Sequence, residues 1–203
     1  MNRFSPEPPD AVADPLLVTR RTSLSRTRNL VTAALIVSLL AVSAWVTIPM
    51  GTVPVTLQVF VVVLAALLLS PGWAAASLGA YVFMGAAGLP VFSHGTGGLG
   101  VMVGPTGGYI LGFLLAAPLG AALRQMLQGR HFSTLVCDVS AAVTCIVCIY
   151  LLGWMQLAVV TRMGIVPALL VGVVPFLIAD AIKAAVAISV ATAVRRARAQ
   201  TPR

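Results

Sequence analysis

Charge is what this chain has least of. Only 9% of its 203 residues are Asp, Glu, Lys or Arg, and between Leu30 and Leu123 there is none. A soluble domain of this size needs a charged surface, so that class is excluded. Lysine is almost missing too, with Lys183 the single example. The formal charge of +8 therefore comes from arginines, which cluster outside the apolar runs. That placement marks membrane orientation rather than a basic face for nucleic acid.

Groups for chemistry are equally scarce. The phosphate-loop pattern G-x-x-x-x-G-K-[ST] does not occur, so the chain has no such loop for ATP. His94 and His131 fall in connections expected on opposite sides of a membrane, which argues against a zinc enzyme. Ser93 and His94 are sequence neighbours in a loop, a poor start for a nucleophile and its base. Asp138 and Asp180 are expected near opposite membrane faces, which disfavours an aspartyl protease. Cys145 and Cys148 form a C-x-x-C beside Cys137. Within an apolar helix, with no polar neighbours, that pattern reads as small-residue packing rather than a redox or metal site.

What the chain has in abundance is apolar sequence. Hydrophobic residues make up 59% and the mean hydropathy is +1.01. The pattern predicts an all-α integral membrane protein with six transmembrane helices, at about 30–48, 55–69, 73–87, 106–123, 135–157 and 167–194. Residues 1–28 read as a disordered cytoplasmic tail, 29–195 as the membrane domain and 196–203 as a basic cytoplasmic tail. Thr19-Arg20-Arg21 and Val42-Ser43-Ala44 look like an export signal and its cleavage site, but the apolar run continues past Ala44 without a polar break. The second and third helices are short for a bilayer core of about 30 Å, and either two spans or a re-entrant hairpin fits them.

Arginine distribution sets the orientation. Arg20, Arg21, Arg26 and Arg28 precede the first helix, Arg124 and Arg130 lie between the fourth and fifth, and Arg195, Arg196, Arg198 and Arg203 follow the sixth. Only Arg162 falls on the other side. This bias predicts both termini in the cytoplasm. Asp138, near the start of the fifth helix, suits the positive end of the helix dipole.

Two stretches stand out against this background. Gly88 to Gly108 carries glycines at 95, 97, 98, 100, 104, 107 and 108 and would make a poor helix. Irregular backbone at membrane depth is tolerated where it is buried or lines a cavity, so this segment is expected to form a lid or pocket wall facing outward. The other stretch is Phe176 to Ala187, whose only charges are Asp180 and Lys183. At i and i+3 they share one helix face. A charge at the centre of a membrane helix costs about 2.5–3.5 kcal/mol, so such a pair either locks helix packing or points at a polar ligand.

Five motifs occur in order: VPVTLQ (Val53–Gln58), GAAGLPVF (Gly85–Phe92), GTGGLG (Gly95–Gly100), GPTGGYILGF (Gly104–Phe113) and D-x-x-K (Asp180–Lys183). Together they closely resemble the BioY family, the biotin-binding S components of energy-coupling factor (ECF) vitamin transporters. The resemblance covers about 29–195. It implies a six-helix S-component fold in the bacterial cytoplasmic (inner) membrane, with an outward-facing biotin pocket and no cofactor. Asp180 and Lys183 are implied to hold the ureido ring, with Thr96 a further polar contact. Thr56, Gln58, Gly98 and Tyr109 are implied pocket residues. No basic partner for the biotin carboxylate is evident; a relative's arginine falls where this chain has Ile110.

The same resemblance implies partners. Ala34, Ser38 and Ala41 put small side chains on one face of the first helix, which permits close helix approach. That face is implied to meet a transmembrane T component coupled to two ATPases, since this chain cannot hydrolyse ATP. Membrane lipid is the other expected partner, nucleic acid is not one, and a homo-oligomer is left open. Two alternatives stand beside biotin uptake: an S component for another vitamin such as thiamine, and an intramembrane enzyme.

Overall fold

The computed structural model describes residues 15–200, and side chains from residue 26 onward. The chain is helical almost throughout. Helix α1 spans Pro15–Ser43, about 43 Å at 1.5 Å per residue. It begins well before the predicted start at 30, so the part of the expected disordered tail from Pro15 onward is helical. Pro15 suits a first helical turn, and no Gly or Pro interrupts the chain from there to Gly51 except Pro49. The remainder of that tail lies outside the described residues. Along α1 the buried positions Ala33, Ile36, Leu40 and Ala44 form one stripe, while Leu35, Leu39 and Val42 are exposed. An apolar helix with an exposed apolar face is what a lipid environment permits.

After α1 the chain makes a short antiparallel hairpin. Strand β1 (Thr47–Ile48) pairs with β2 (Val55–Thr56) in the register Thr47↔Thr56 and Ile48↔Val55. Helix α2 (Gln58–Leu68) follows, three residues later than the predicted start at 55. The β-branched Val55 and Thr56 instead take extended backbone as strand β2. α2 is buried from Val61 to Leu67 on every side, enclosed by α1, α5, α6 and α8. Helix α3 (Pro71–Ala86) starts at Pro71 and buries Ala74, Ser77, Leu78, Tyr81 and Gly85.

The glycine-rich segment is not wholly irregular. It holds a 3-10 turn at Ser93–Gly95 and the short helix α4 (Leu99–Val103). Its ends are tied to the helices. Tyr81 Oη donates to the Val91 carbonyl at 2.9 Å, and the Gly98 N–H donates to the Gly85 carbonyl at 2.6 Å. Gln156 Nε2 donates to the carbonyls of Met102 at 2.8 Å and Gly104 at 2.9 Å. Gly98 holds φ +97°, a conformation that glycine adopts without strain.

Helices α5 (Gly107–Gly129) and α6 (Thr134–Thr161) form the closest pair. Gly108, Gly112 and Gly120 line the seam: a Cβ on Gly112 would lie 2.8 Å from Ile149 Cα, and one on Gly120 2.7 Å from Cys145 Sγ. Small residues at intervals of four let the two backbones approach. Cys145 is buried there, its thiol 3.3 Å from the Ala116 carbonyl. The last apolar run is broken: α7 (Ile165–Gly172), a 3-10 turn at Val174–Phe176, then α8 (Leu177–Gln200). Gly172 and Pro175 explain the break, and it places Asp180 in the first turn of α8.

Among the described residues four segments can cross a membrane by length and composition: Arg26–Ser43, Gly107–Gly129, Thr134–Thr161 and Ile165–Gln200. α2 and α3, at 11 and 16 residues, are shorter. One end of the bundle is pinned by charge. Asp138, 1% exposed, accepts from Arg124 Nε at 2.7 Å and from Arg195 Nη2 at 2.5 Å. Nearby, Arg198 Nη2 reaches Thr32 Oγ1 at 3.1 Å. The expected role of Asp138 at the helix dipole gives way to this one. α6 is capped by Ser133, whose hydroxyl accepts from the Val136 N–H, and Asp138 ties α6 to α5 and α8.

Candidate functional site

At the other end of the bundle, the chain closes around one cavity, partly open to the outside. The β-hairpin and start of α2 give Val53, Val55, Thr56, Gln58 and Val59; α5 gives Tyr109, Ile110 and Phe113; α6 gives Ile149 and Tyr150. Phe176 comes from the turn before α8, and Asp180 and Lys183 from α8 itself. Most of this lining is apolar, with one concentrated polar wall.

That wall is the charged pair and one tyrosine. Asp180 is 3% exposed. Its Oδ1 accepts from Lys183 Nζ at 2.8 Å and its Oδ2 from Tyr150 Oη at 2.6 Å. Every bond is charge-assisted, and each fixes the carboxylate plane. The position of Asp180 at the start of α8 adds a favourable helix dipole. The arrangement is not saturated. Each carboxylate oxygen has two lone pairs and uses one, and the ammonium has three donors and uses one.

The other expected site residues divide into two groups. Thr56, Gln58 and Tyr109 line the same cavity as Asp180 and Lys183. Their polar atoms are largely committed within the protein. Thr56 Oγ1 donates to Gln58 Oε1 at 3.0 Å, and Gln58 Nε2 donates to Tyr81 Oη. Tyr109 Oη donates to the Gly172 carbonyl at 2.7 Å, tying α5 to α7. Thr96 and Gly98 do not reach this cavity. Thr96 is exposed and its hydroxyl donates to the Ser93 carbonyl at 2.8 Å. It lines an adjoining outer hollow with Gly51, Thr52, His94, Gly100 and Val101, and Gly98 lines neither space. Pro54, Ser93 and Thr106 border both. The bonds from Val91 and Gly98 back to α3 hold this part of the segment at the rim.

On α1, Ala34 and Ser38 are exposed and Ala41 is partly buried. Ser38 Oγ donates to the Ala34 carbonyl at 3.0 Å, so its polarity is satisfied within the helix. The face is smooth and unpartnered within the described chain.

A model of the BioY family matches residues 18–200. The chain belongs to the BioY family. Curated relatives include a biotin transporter BioY of Thermotoga maritima, 49% identical over 90 residues, which are 44% of this chain and 53% of that one. A probable biotin transporter BioY of Pyrococcus horikoshii is 40% identical over 125 residues, 62% of this chain and 71% of that one. The biotin transporter BioY of Rhizobium etli is 34% identical over 149 residues, covering 70% and 80%. The match thus spans about half the length of the Thermotoga relative (53%) and more of the other two. A solved S-component for biotin from an ECF-type ABC transporter superposes with TM-score 0.79 at 24% identity, covering 87% of this chain and 94% of that one. At that identity the likeness speaks to the fold, and the fold is that of an S component. A BioY-family chain with several long apolar helices is a multi-pass protein of the cytoplasmic membrane.

Four residues in or beside these hollows are not marked as pocket residues by the sequence. Tyr150 sits 30 positions before Asp180 in an apolar helix and carries no local signal. Ser93 and Thr106, at the junction of the two hollows, read as a loop residue and as the start of the fourth predicted helix. Gln156, the staple on the glycine-rich segment, is one polar residue in a long apolar run, and that isolation is the available clue.

Proposed function

We propose that this chain binds biotin at the outer side of the cytoplasmic membrane and serves its uptake as the S component of an ECF-type transporter. The observation that carries the reading is the Asp180–Lys183–Tyr150 cluster, largely buried and unsaturated, on the wall of a mostly apolar cavity that opens outward. A urea group fits it. One of its N–H groups donates to a free lone pair of the Asp180 carboxylate, and its oxygen, on the same flank of the ring, accepts from the Lys183 ammonium. The apolar lining suits a thioether ring and an alkyl chain. The Thermotoga and Rhizobium relatives are biotin transporters by name.

Six helices cross the membrane in this reading, counting α7 with α8 as one span and the short α2 and α3 as two. The end carrying Arg124, Arg195 and Arg198 lies in the cytoplasm, which puts both termini there and the cavity outside. Thr56, Gln58 and Tyr109 shape the pocket, while Thr96 and Gly98 belong to the segment that closes over the ligand. The Ala34, Ser38 and Ala41 face receives a T component. The chain has no catalysis and no cofactor of its own, and ATP hydrolysis falls to partner subunits.

The test is equilibrium binding of labelled biotin to the purified chain in lipid nanodiscs, with unlabelled biotin and thiamine as competitors. Saturable binding displaced by biotin alone supports the proposal. Displacement by thiamine at equal concentration would reassign the vitamin, and absence of binding would remove the function.

A further inference from the structure

The charged wall accounts for one end of the ligand only. Biotin carries a carboxylate at the far end of its alkyl chain, and burying it unpaired is costly. Asp180 and Lys183 are already engaged with each other, and among the described residues no Arg and no other Lys lines either hollow. Of the neutral hydroxyls along the two hollows, two lie where the hollows meet. Ser93 and Thr106 border both spaces, one from the 3-10 turn of the glycine-rich segment and one from the residue before α5. Among the described residues neither hydroxyl has a hydrogen-bond partner, whereas those of Thr56 and Thr96 are both occupied. Both residues are half-buried and face the two hollows.

We infer that Ser93 and Thr106 form the carboxylate subsite of this chain: their hydroxyls bind the ligand's carboxylate at the junction between the inner cavity and the outer hollow. The inference rests on the biotin reading above. The ligand then runs from Asp180 and Lys183, past Ile110 and Phe113, to the two hydroxyls. A serine or threonine hydroxyl donates one hydrogen bond, so two of them offer one to each carboxylate oxygen. The subsite has no charge of its own, so it discriminates by hydrogen-bond geometry rather than by Coulomb attraction. Ser93 belongs to the glycine-rich segment, so ligand bound here also draws that segment toward α5.

The test measures Kd for biotin and for biotin methyl ester on the intact chain in nanodiscs, with Ser93→Ala, Thr106→Val and the double variant. The ester keeps the ureido ring and removes the negative charge. Each single substitution is expected to weaken biotin about tenfold, as befits loss of one hydrogen bond to an ion, and the double about a hundredfold. Ester binding should change by less than about threefold in all three. Thr106→Ser should retain biotin affinity and exclude misfolding as the cause. Equal losses for biotin and ester, or no loss for biotin, would overturn the subsite. Asp180→Asn provides the contrast: it should weaken both ligands alike. If unaltered protein binds neither ligand, the biotin reading itself fails, which is a different result.

Discussion

Replacing Lys183 with Met removes one charge from the cluster and leaves the other buried. The Nζ to Oδ1 distance is 2.8 Å, with side-chain exposures of 14% and 4%. At an effective dielectric of about 20 the gross Coulomb attraction is about 6 kcal/mol. Desolvation cancels most of it in the intact pair, but removing one partner of a buried pair costs about 3–5 kcal/mol because the remaining charge is uncompensated. Tyr150 still donates to Oδ2, which places this case at the low end, about 3 kcal/mol. Asp180→Asn/Lys183→Met together remove both charges and should recover at least half of that loss, since an uncharged pair of similar volume is often neutral. Binding should not recover. The ureido group loses its charged acceptor and donor, each worth about 1.5–3 kcal/mol, so the double variant should bind biotin about a hundredfold or more weaker. Thermal unfolding in detergent reports the stability cycle, and labelled-biotin titration reports the affinity. If the double variant binds within threefold of the unaltered chain, the ureido assignment is wrong. If Lys183→Met alone is as stable as the unaltered chain, the pair is not buried as the structure has it.

Other outcomes follow from the same geometry. Tyr150→Phe leaves one carboxylate oxygen without its 2.6 Å donor, and biotin affinity should fall about tenfold by titration. Gly112→Val drives a side chain into α6, because a Cβ at this position would lie 2.8 Å from Ile149 Cα; unfolding temperature should drop by several degrees, as overpacking costs about 1–3 kcal/mol. Asp138→Ala leaves two guanidinium groups without their shared carboxylate and should destabilise by about 3–5 kcal/mol, while biotin Kd at the opposite end stays within threefold.

Much of this site is legible without coordinates because membranes make polar residues conspicuous. One lysine and one aspartate at i and i+3, in a run otherwise free of charge, already single out the pair that lines the cavity. Glycine density between Gly88 and Gly108 likewise marks a non-helical wall, though its hydrogen-bonded ties and the helical turn within it are not visible. What sequence does not carry is pairing over distance. Tyr150 and Asp180 meet because α6 and α8 cross, and nothing in either segment's composition says so. Asp138 has a plausible local explanation in the helix dipole, yet Arg124 and Arg195 are its actual partners. Thr96 rests on resemblance alone, and its hydroxyl is taken by the Ser93 carbonyl in the same turn. The early start of α1 is hidden by arginines and serines that read as tail but do not prevent a helix.

The most direct measurement is an experimental structure of the intact chain with biotin bound. The account predicts the ureido ring within about 3 Å of both Asp180 and Lys183, the usual hydrogen-bond range, with Tyr150 still on Oδ2. Biotin seated elsewhere, or an Asp180–Lys183 pair unchanged and sealed from an occupied cavity, would contradict it.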